Sequence, residues 1–260
     1  MAGHTLSIAA ASSVIDANVR ANGMHVRALM TKAAALGVRL VQFPEGALSG
    51  YVNAEIHDWD AVDWRTLQAE LELTAAHAAR LGIWVVVGAN HQRTPPLWPH
   101  NALYVISDRG AVVGRYDKRV ISHSEAMHWY TSGTEPLVFE VDGFRFGCAL
   151  CIEIHFPELF MEYARLGVDA VLFSAYADDP IFDVAARAHA AMNNVWFSVS
   201  TPASCRSSLP CSLIGPDGFP FGRPTAEADL VHGVLDAAKY EIALTKARPW
   251  RAKVRAARGS

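Results

Sequence analysis

Apolar residues recur along the chain in two periods. Short runs rich in β-branched and aromatic residues lie at 38–43 (VRLVQF), 83–89 (IWVVVGA), 102–107 (ALYVIS), 112–116 (VVGRY), 137–141 (LVFEV), 144–150 (FRFGCAL), 170–175 (AVLFSA), 195–200 (VWFSVS) and 231–237 (VHGVLDA), and these read as strands. Between them the period lengthens: Val26, Leu29, Met30, Ala33 and Leu36 share one helical face, closed by Gly37 as a C-cap. Further helices are expected over 64–81, 157–166, 183–193 and 238–248. Hairpin signals stand at Asp108-Arg109-Gly110, Val141-Asp142-Gly143 and Gly215-Pro216-Asp217-Gly218. Strand and helix alternate from end to end, which predicts an α/β fold with a mixed sheet. No linker, repeat or low-complexity segment interrupts the pattern, and 94–101 (TPPLWPHN) reads as a rigid surface loop.

Composition narrows the class. With 260 residues, 51% apolar and 19% charged, the chain can bury a full core, and one domain over 1–260 accounts for its length. The net charge is −3, and basic residues are scattered except between Arg248 and Arg258, so nucleic acid is not an expected partner. That tail is a basic surface arm or a solvated C-terminal helix with a basic last turn, and the helix dipole favours the second. No apolar run reaches the ~18 residues of a membrane span, and the N-terminal segment lacks the basic start and apolar middle of a signal peptide. A cytoplasmic protein without a membrane partner is expected. The four cysteines, Cys148, Cys151, Cys205 and Cys211, are too few to staple such a chain and are expected as free thiols.

The richest segment is FRFGCALCIEIHFPELFMEYARLG, where an apolar strand enters a polar turn and then a helix opened by Pro157 at N1. Cys151 falls at that junction, where helix-terminal N–H groups are expected to lower a thiol pKa; the plainer alternative is a small buried hydrophobe. Cys148 and Cys151 also form C-x-x-C, but three positions along a strand turn them to opposite faces, against a redox dithiol. Zinc lacks a second Cys or His pair at ligand spacing. Glu45 follows the apolar run VRLVQF, where partial burial would raise its pKa and suit it to proton shuttling; a turn residue or helix cap is the alternative. Lys118 follows VVGRY and would pass for a surface lysine on its own. Three strands that deliver a carboxylate, an ammonium and a thiol at corresponding ends point instead to the crevice where α/β sheets bind ligands.

Taken in order, LVQFPEGALSGY (40–51), GRYDKRVIS (114–122) and CIEIHFPE (151–158) resemble the Glu, Lys and Cys motifs of the nitrilase superfamily of carbon–nitrogen hydrolases. The resemblance spans about residue 5 to residue 255. It implies a four-layer α-β-β-α sandwich with mixed sheets, and a homodimer or larger homo-oligomer. It also implies a small-molecule amide, N-carbamoyl amine or nitrile substrate, and no metal or organic cofactor. The catalytic residues it implies are Glu45, Lys118 and Cys151, with Glu125 as a second glutamate. Tyr51, Trp129, Ile152, Tyr176, Asp178 and Asp179 are candidate substrate-binding residues. The two aspartates are either an acidic wall favouring an ammonium-bearing amide or a solvated turn closed by Pro180. Two positions depart from the pattern: His155 stands where the family often has Arg, and AHAAMNN (188–194) replaces a more charged segment. Acyl transfer to an amine through the same thioester, and a catalytically silent binding protein of this fold, are the alternatives.

Overall fold

The computed structural model describes residues 4–258. Met1 to Gly3, at the head of the segment read for a signal peptide, and Gly259 and Ser260, at the end of the basic tail, lie outside the described residues. In chain order the strands are β1 (Thr5–Ala11), β2 (Leu40–Gln42), β3 (Trp84–His91), β4 (His100–Ile106), β5 (Val112–Asp117), β6 (Val138–Val141), β7 (Phe144–Leu150), β8 (Ala170–Ser174), β9 (Trp196–Ser200), β10 (Ser212–Ile214), β11 (Arg223–Pro224) and β12 (Leu230–Asp236). The helices are α1 (Val19–Ala35), α2 (Trp64–Leu81), α3 (His123–His128), α4 (Pro157–Arg165), α5 (Ile181–Asn193) and α6 (Arg248–Ala257).

The strands form two mixed sheets, ordered β11-β12-β1-β2-β3-β4-β5 and β10-β9-β8-β7-β6. Parallel triplets β1-β2-β3 and β7-β8-β9 make the two centres, and the outer partners run antiparallel. Strand alternation divides the core into three slabs. Ile8, Ala10, Leu40 and Val86 meet Phe146, Cys148, Leu172 and Trp196 between the sheets. The opposite faces pack outward: Val41, Val85 and Val87 lie with Met30 and Leu71 of α1 and α2, and Ala149, Val171 and Phe173 with Phe160 and Phe182 of α4 and α5. The result is the expected four-layer α-β-β-α sandwich. Strands buried on both faces read as continuous apolar runs, which is why 144–150 and its neighbours were legible. No helix among the described residues is long and apolar enough to cross a membrane.

The fold differs from the sequence expectation at several places. β1 carries no strand signal because TLSIAAA is alanine-rich; its small side chains suit a central strand pressed between β12 and β2. β10 and β11, three and two residues long, and the six-residue α3 are too short for periodicity to show. Leu36 does not join the core face of α1. It is the C-cap residue and 42% exposed, while Gly37, at φ +73°, turns the chain so that Val38 is buried in its place.

The helix expected over 238–248 instead begins at Glu241, passes through a π-turn at Ala243–Ala247 and continues as α6. Nor is the basic tail simply solvated. Arg251 donates to the carbonyls of Ala191 and Met192 at the end of α5 (2.6 and 2.9 Å), and Arg248 pairs with Asp169 at 2.9 Å. Its arginines thus satisfy carbonyls that α5 leaves open.

Candidate active site

Four of the candidate groups follow the end of a strand, and Glu125 lies in α3. Glu45 lies in the turn after β2, Lys118 after β5, Cys151 after β7 and Tyr176 just beyond β8. Because β2, β7 and β8 all run parallel within their sheets, these turns gather at one end of the sandwich. Glu45, Lys118 and Glu125 are all 1% exposed or less, and Cys151 is 9% exposed.

Lys118 is the hub. Its ammonium donates to Glu45 Oε1 at 3.0 Å and to both oxygens of Glu125 at 2.8 and 3.0 Å. Burial opposes that charge, but Glu45, Cys151 and Glu125 around it carry its pKa well above the usual lysine value. The carboxylates are not equivalent. Burial is the largest influence on Glu45 and, with Glu125 nearby, pushes its pKa above the ordinary 4.5 despite Lys118. Burial also opposes the charge of Glu125, but there Lys118 and Ser122 prevail and hold the pKa below 4.5. Of the two, Glu125 is the carboxyl held toward its ionised form beside Lys118, and Glu45 is the one that protonates more readily.

Glu125 owes its position to a capping box: the amide of Ser122 donates to its Oε2 at 2.7 Å, while its own amide donates to Ser122 Oγ at 3.3 Å. Ser-x-x-Glu is the sequence signal that marks α3. Glu45 is held by Asn101 Nδ2 at 2.7 Å and by the amide of Tyr176 at 2.8 Å. The thiol of Cys151 faces the carbonyl of that same Tyr176, with Sγ to O at 3.8 Å. One peptide segment thus has Glu45 at its N–H and the thiol at its carbonyl.

Cys151 sits at φ +46°, a left-handed conformation unusual for a residue with a Cβ. It opens a short 3₁₀ turn, Cys151–His155, that separates it from Pro157 at N1 of α4. That separation corrects the expectation of a lowered thiol pKa. Burial, then the Glu45 carboxylate, push the Cys151 thiol well above its usual value, outweighing Lys118. The resting group is a thiol. Cys148, one face away, is fully buried between the sheets, so the two thiols form no dithiol; all four cysteines are free. Among the described residues no group of His, Cys, Asp or Glu side chains could hold a metal ion.

Of the remaining candidates, Tyr51 and Tyr176 flank the centre. Their rings stack at 5.0 Å, Tyr51 Oη donates to Glu125 Oε1 at 2.9 Å, and Tyr176 Oη donates to Glu55 Oε1 at 2.8 Å. Ile152, next to the thiol, is partly exposed. Trp129 packs edge-on against Trp59 at 5.8 Å in an apolar cluster with Tyr130 and Ile56, against which Tyr51 also packs. Asp178 and Asp179 are both exposed, and Asp179 accepts the amide of Ile181 at 2.9 Å, the geometry of a solvated turn. His155 lies edge-on to Phe182 at 5.3 Å, and His189 donates from Nε2 to the carbonyl of Ile154 at 2.9 Å.

Sequence reasoning missed Asn101, Glu55 and Glu153. Asn101 had a signal, since a lone amide beside the run ALYVIS invites the question of what it binds. Gly88 was also missed. A Cβ there would stand 2.2 Å from the carbonyl of Pro44 and 2.7 Å from the amide of Gly46, so the Glu45 turn rests directly on this glycine. Gly88→Ala is expected to cost about 1–3 kcal/mol of stability and to lower kcat/KM at least tenfold by displacing Glu45. Thermal melts and amide kinetics on the same preparation check both effects.

The match to known proteins agrees with this geometry. The chain belongs to the carbon–nitrogen hydrolase family, whose model matches residues 7–251, and so to the nitrilase superfamily. It is 27% identical over 203 residues, 75% of each chain, to the 2-oxoglutaramate amidase of Bacillus subtilis (strain 168). In fold it is similar to an amidase from Nesterenkonia sp., with a TM-score of 0.80 and 20% identity over 91% of this chain and 92% of that one. A variant of that amidase, carrying the acetamide moiety of fluoroacetamide covalently on its active-site cysteine, matches equally well: TM-score 0.80, 20% identity, 94% of both chains. At that identity the structural likeness speaks for the fold.

Proposed function

We propose that this protein hydrolyses small amides through a thioester on Cys151, with Glu45 as proton shuttle, Lys118 as oxyanion partner and Glu125 as the fixed counter-ion of Lys118. The observation that carries this reading is the division of labour around Lys118: one carboxylate held ionised, the other raised and set across one peptide segment from a protonated thiol.

In the first half-reaction Glu45 accepts the thiol proton as Sγ bonds to the carbonyl carbon, and the carbonyl electron pair moves onto oxygen. Lys118 and the backbone N–H of Ile152 stabilise that oxygen. The carbon–nitrogen bond then breaks as Glu45 returns its proton to nitrogen, releasing ammonia or an amine. In the second half-reaction water attacks the thioester and gives its proton to Glu45. The carbon–sulfur bond breaks, the thiolate regains a proton from Glu45, and a carboxylic acid departs. Tyr51, Ile152 and Tyr176 are the proposed walls around the acyl group. Likeness to an amidase favours amides over nitriles and N-carbamoyl amines.

The test is ammonia release from a panel of amides, carbamoyl amines and nitriles, with kcat/KM for the best substrate followed against pH. Glu45 must be ionised to act, so activity falls as pH drops through its raised pKa, and the acid limb should have its midpoint above 4.5. A midpoint at or below 4.5, or ammonia from none of the panel, would remove Glu45 or the whole reading respectively.

A further inference from the structure

Glu153 is buried completely, yet every group that hydrogen-bonds to it is a neutral backbone amide or hydroxyl. Its Oε1 accepts the backbone amides of Arg119 at 2.7 Å and Val120 at 3.0 Å. Its Oε2 accepts the amide of Leu150 at 2.7 Å, and Tyr116 Oη lies 2.8 Å from both oxygens. A buried carboxylate is costly: burial pushes the Glu153 pKa above 4.5, and these neutral dipoles, with the nearby charge of Lys118, offset that cost in part.

The identity of the donors matters more than their number. Tyr116, Arg119 and Val120 bracket Lys118, and Leu150 immediately precedes Cys151. Lys118 reaches the centre from the first sheet and Cys151 from the second, so Glu153 joins across the sandwich the two segments whose spacing sets the distance from thiol to ammonium. Cys151 also holds a left-handed φ of +46°, a conformation that persists only where its surroundings over-determine it.

We infer that Glu153 is a positioning residue for the reaction, clamping the Lys118 loop to the Cys151 turn through both of its oxygens. This rests on the roles proposed above for Cys151 and Lys118. The requirement is for two acceptor oxygens. An amide of the same shape offers one, and its NH₂ would face either the Leu150 amide or the pair from Arg119 and Val120, undoing one half of the clamp.

Glu153→Gln in the full chain is therefore expected to lower kcat on the order of 10²-fold while KM stays within about threefold, because pre-organisation acts on the transition state. Alkylation of the Cys151 thiol by fluoroacetamide, in which sulfur displaces fluoride and keeps the acetamide moiety, should slow in parallel when read by intact mass. Tyr116→Phe removes one donor and leaves the three backbone amides, so kcat should fall less, about three- to tenfold, again at constant KM. A folded Glu153→Gln protein with kcat within threefold of wild type, or one whose loss lies wholly in KM, would overturn the inference. If Glu153→Gln does not fold, Tyr116→Phe decides: a kcat loss supports the clamp, and wild-type kcat overturns it. Failure of the parent reading looks different, since wild-type protein would then show neither turnover nor label.

Discussion

Cys151→Ala is expected to lose turnover by a factor on the order of 10⁴ or more and to lose all covalent labelling by substrate-derived acyl groups, while remaining folded. The size of the effect follows from chemistry that has no substitute. In the proposed mechanism there is no acyl-enzyme without Sγ, and neither Glu45 nor Lys118 can replace a nucleophile. The fold should survive because the thiol makes one long contact, 3.8 Å to the Tyr176 carbonyl, and alanine fits the same left-handed backbone no worse than cysteine. Cys148→Ala is the matched control. Its sulfur is buried between the sheets, so it should cost stability through an unfilled cavity and leave the chemistry in place. Steady-state ammonia release and thermal melts on the two variants separate these outcomes, and appreciable turnover by Cys151→Ala contradicts the assignment.

Lys118→Ala should do double damage. Removing the proposed oxyanion partner is expected to lower kcat on the order of 10²-fold or more. Removing the cation also strands Glu45 and Glu125, both buried, and breaking a buried ion pair in this way typically costs about 3–5 kcal/mol. The pH dependence carries a sign. Without Lys118, burial and mutual repulsion raise both carboxyl pKa values above those of the unfolded chain, so the folded variant binds the extra protons and its stability deficit shrinks as pH falls from 7.5 toward 5. Thermal melts across that range, compared with wild type, check the slope. A deficit that is flat in pH would mean that the carboxylates do not depend on this lysine.

The sequence exposed the parts of the molecule that obey a period. Both-face-buried strands such as 144–150 and the amphipathic α2 were visible because burial imposes a repeating pattern on them. β1 was not, since a strand pressed between two neighbours can be built from alanine and then loses its propensity signal. At the site, Glu45, Lys118 and Cys151 were legible because reactive groups stood where apolar strands end. Their supports were not. Asn101 and Glu153 act through contacts 56 and 34 residues away in the chain, and no local pattern encodes such a contact. The wrong sign for the Cys151 pKa has the same origin: the nearby helix was readable from Pro157, but the burial and the two carboxylates that overrule it were not.

The most direct measurement is intact mass and fragment mapping of the wild-type protein, quenched in acid during turnover of a good amide substrate. The proposed chemistry predicts a transient adduct equal to substrate minus ammonia, mapped to Cys151, forming as fast as ammonia appears and decaying to free enzyme and carboxylic acid. Ammonia release with no adduct, or an adduct that maps to Cys148, Cys205 or Cys211, would contradict it.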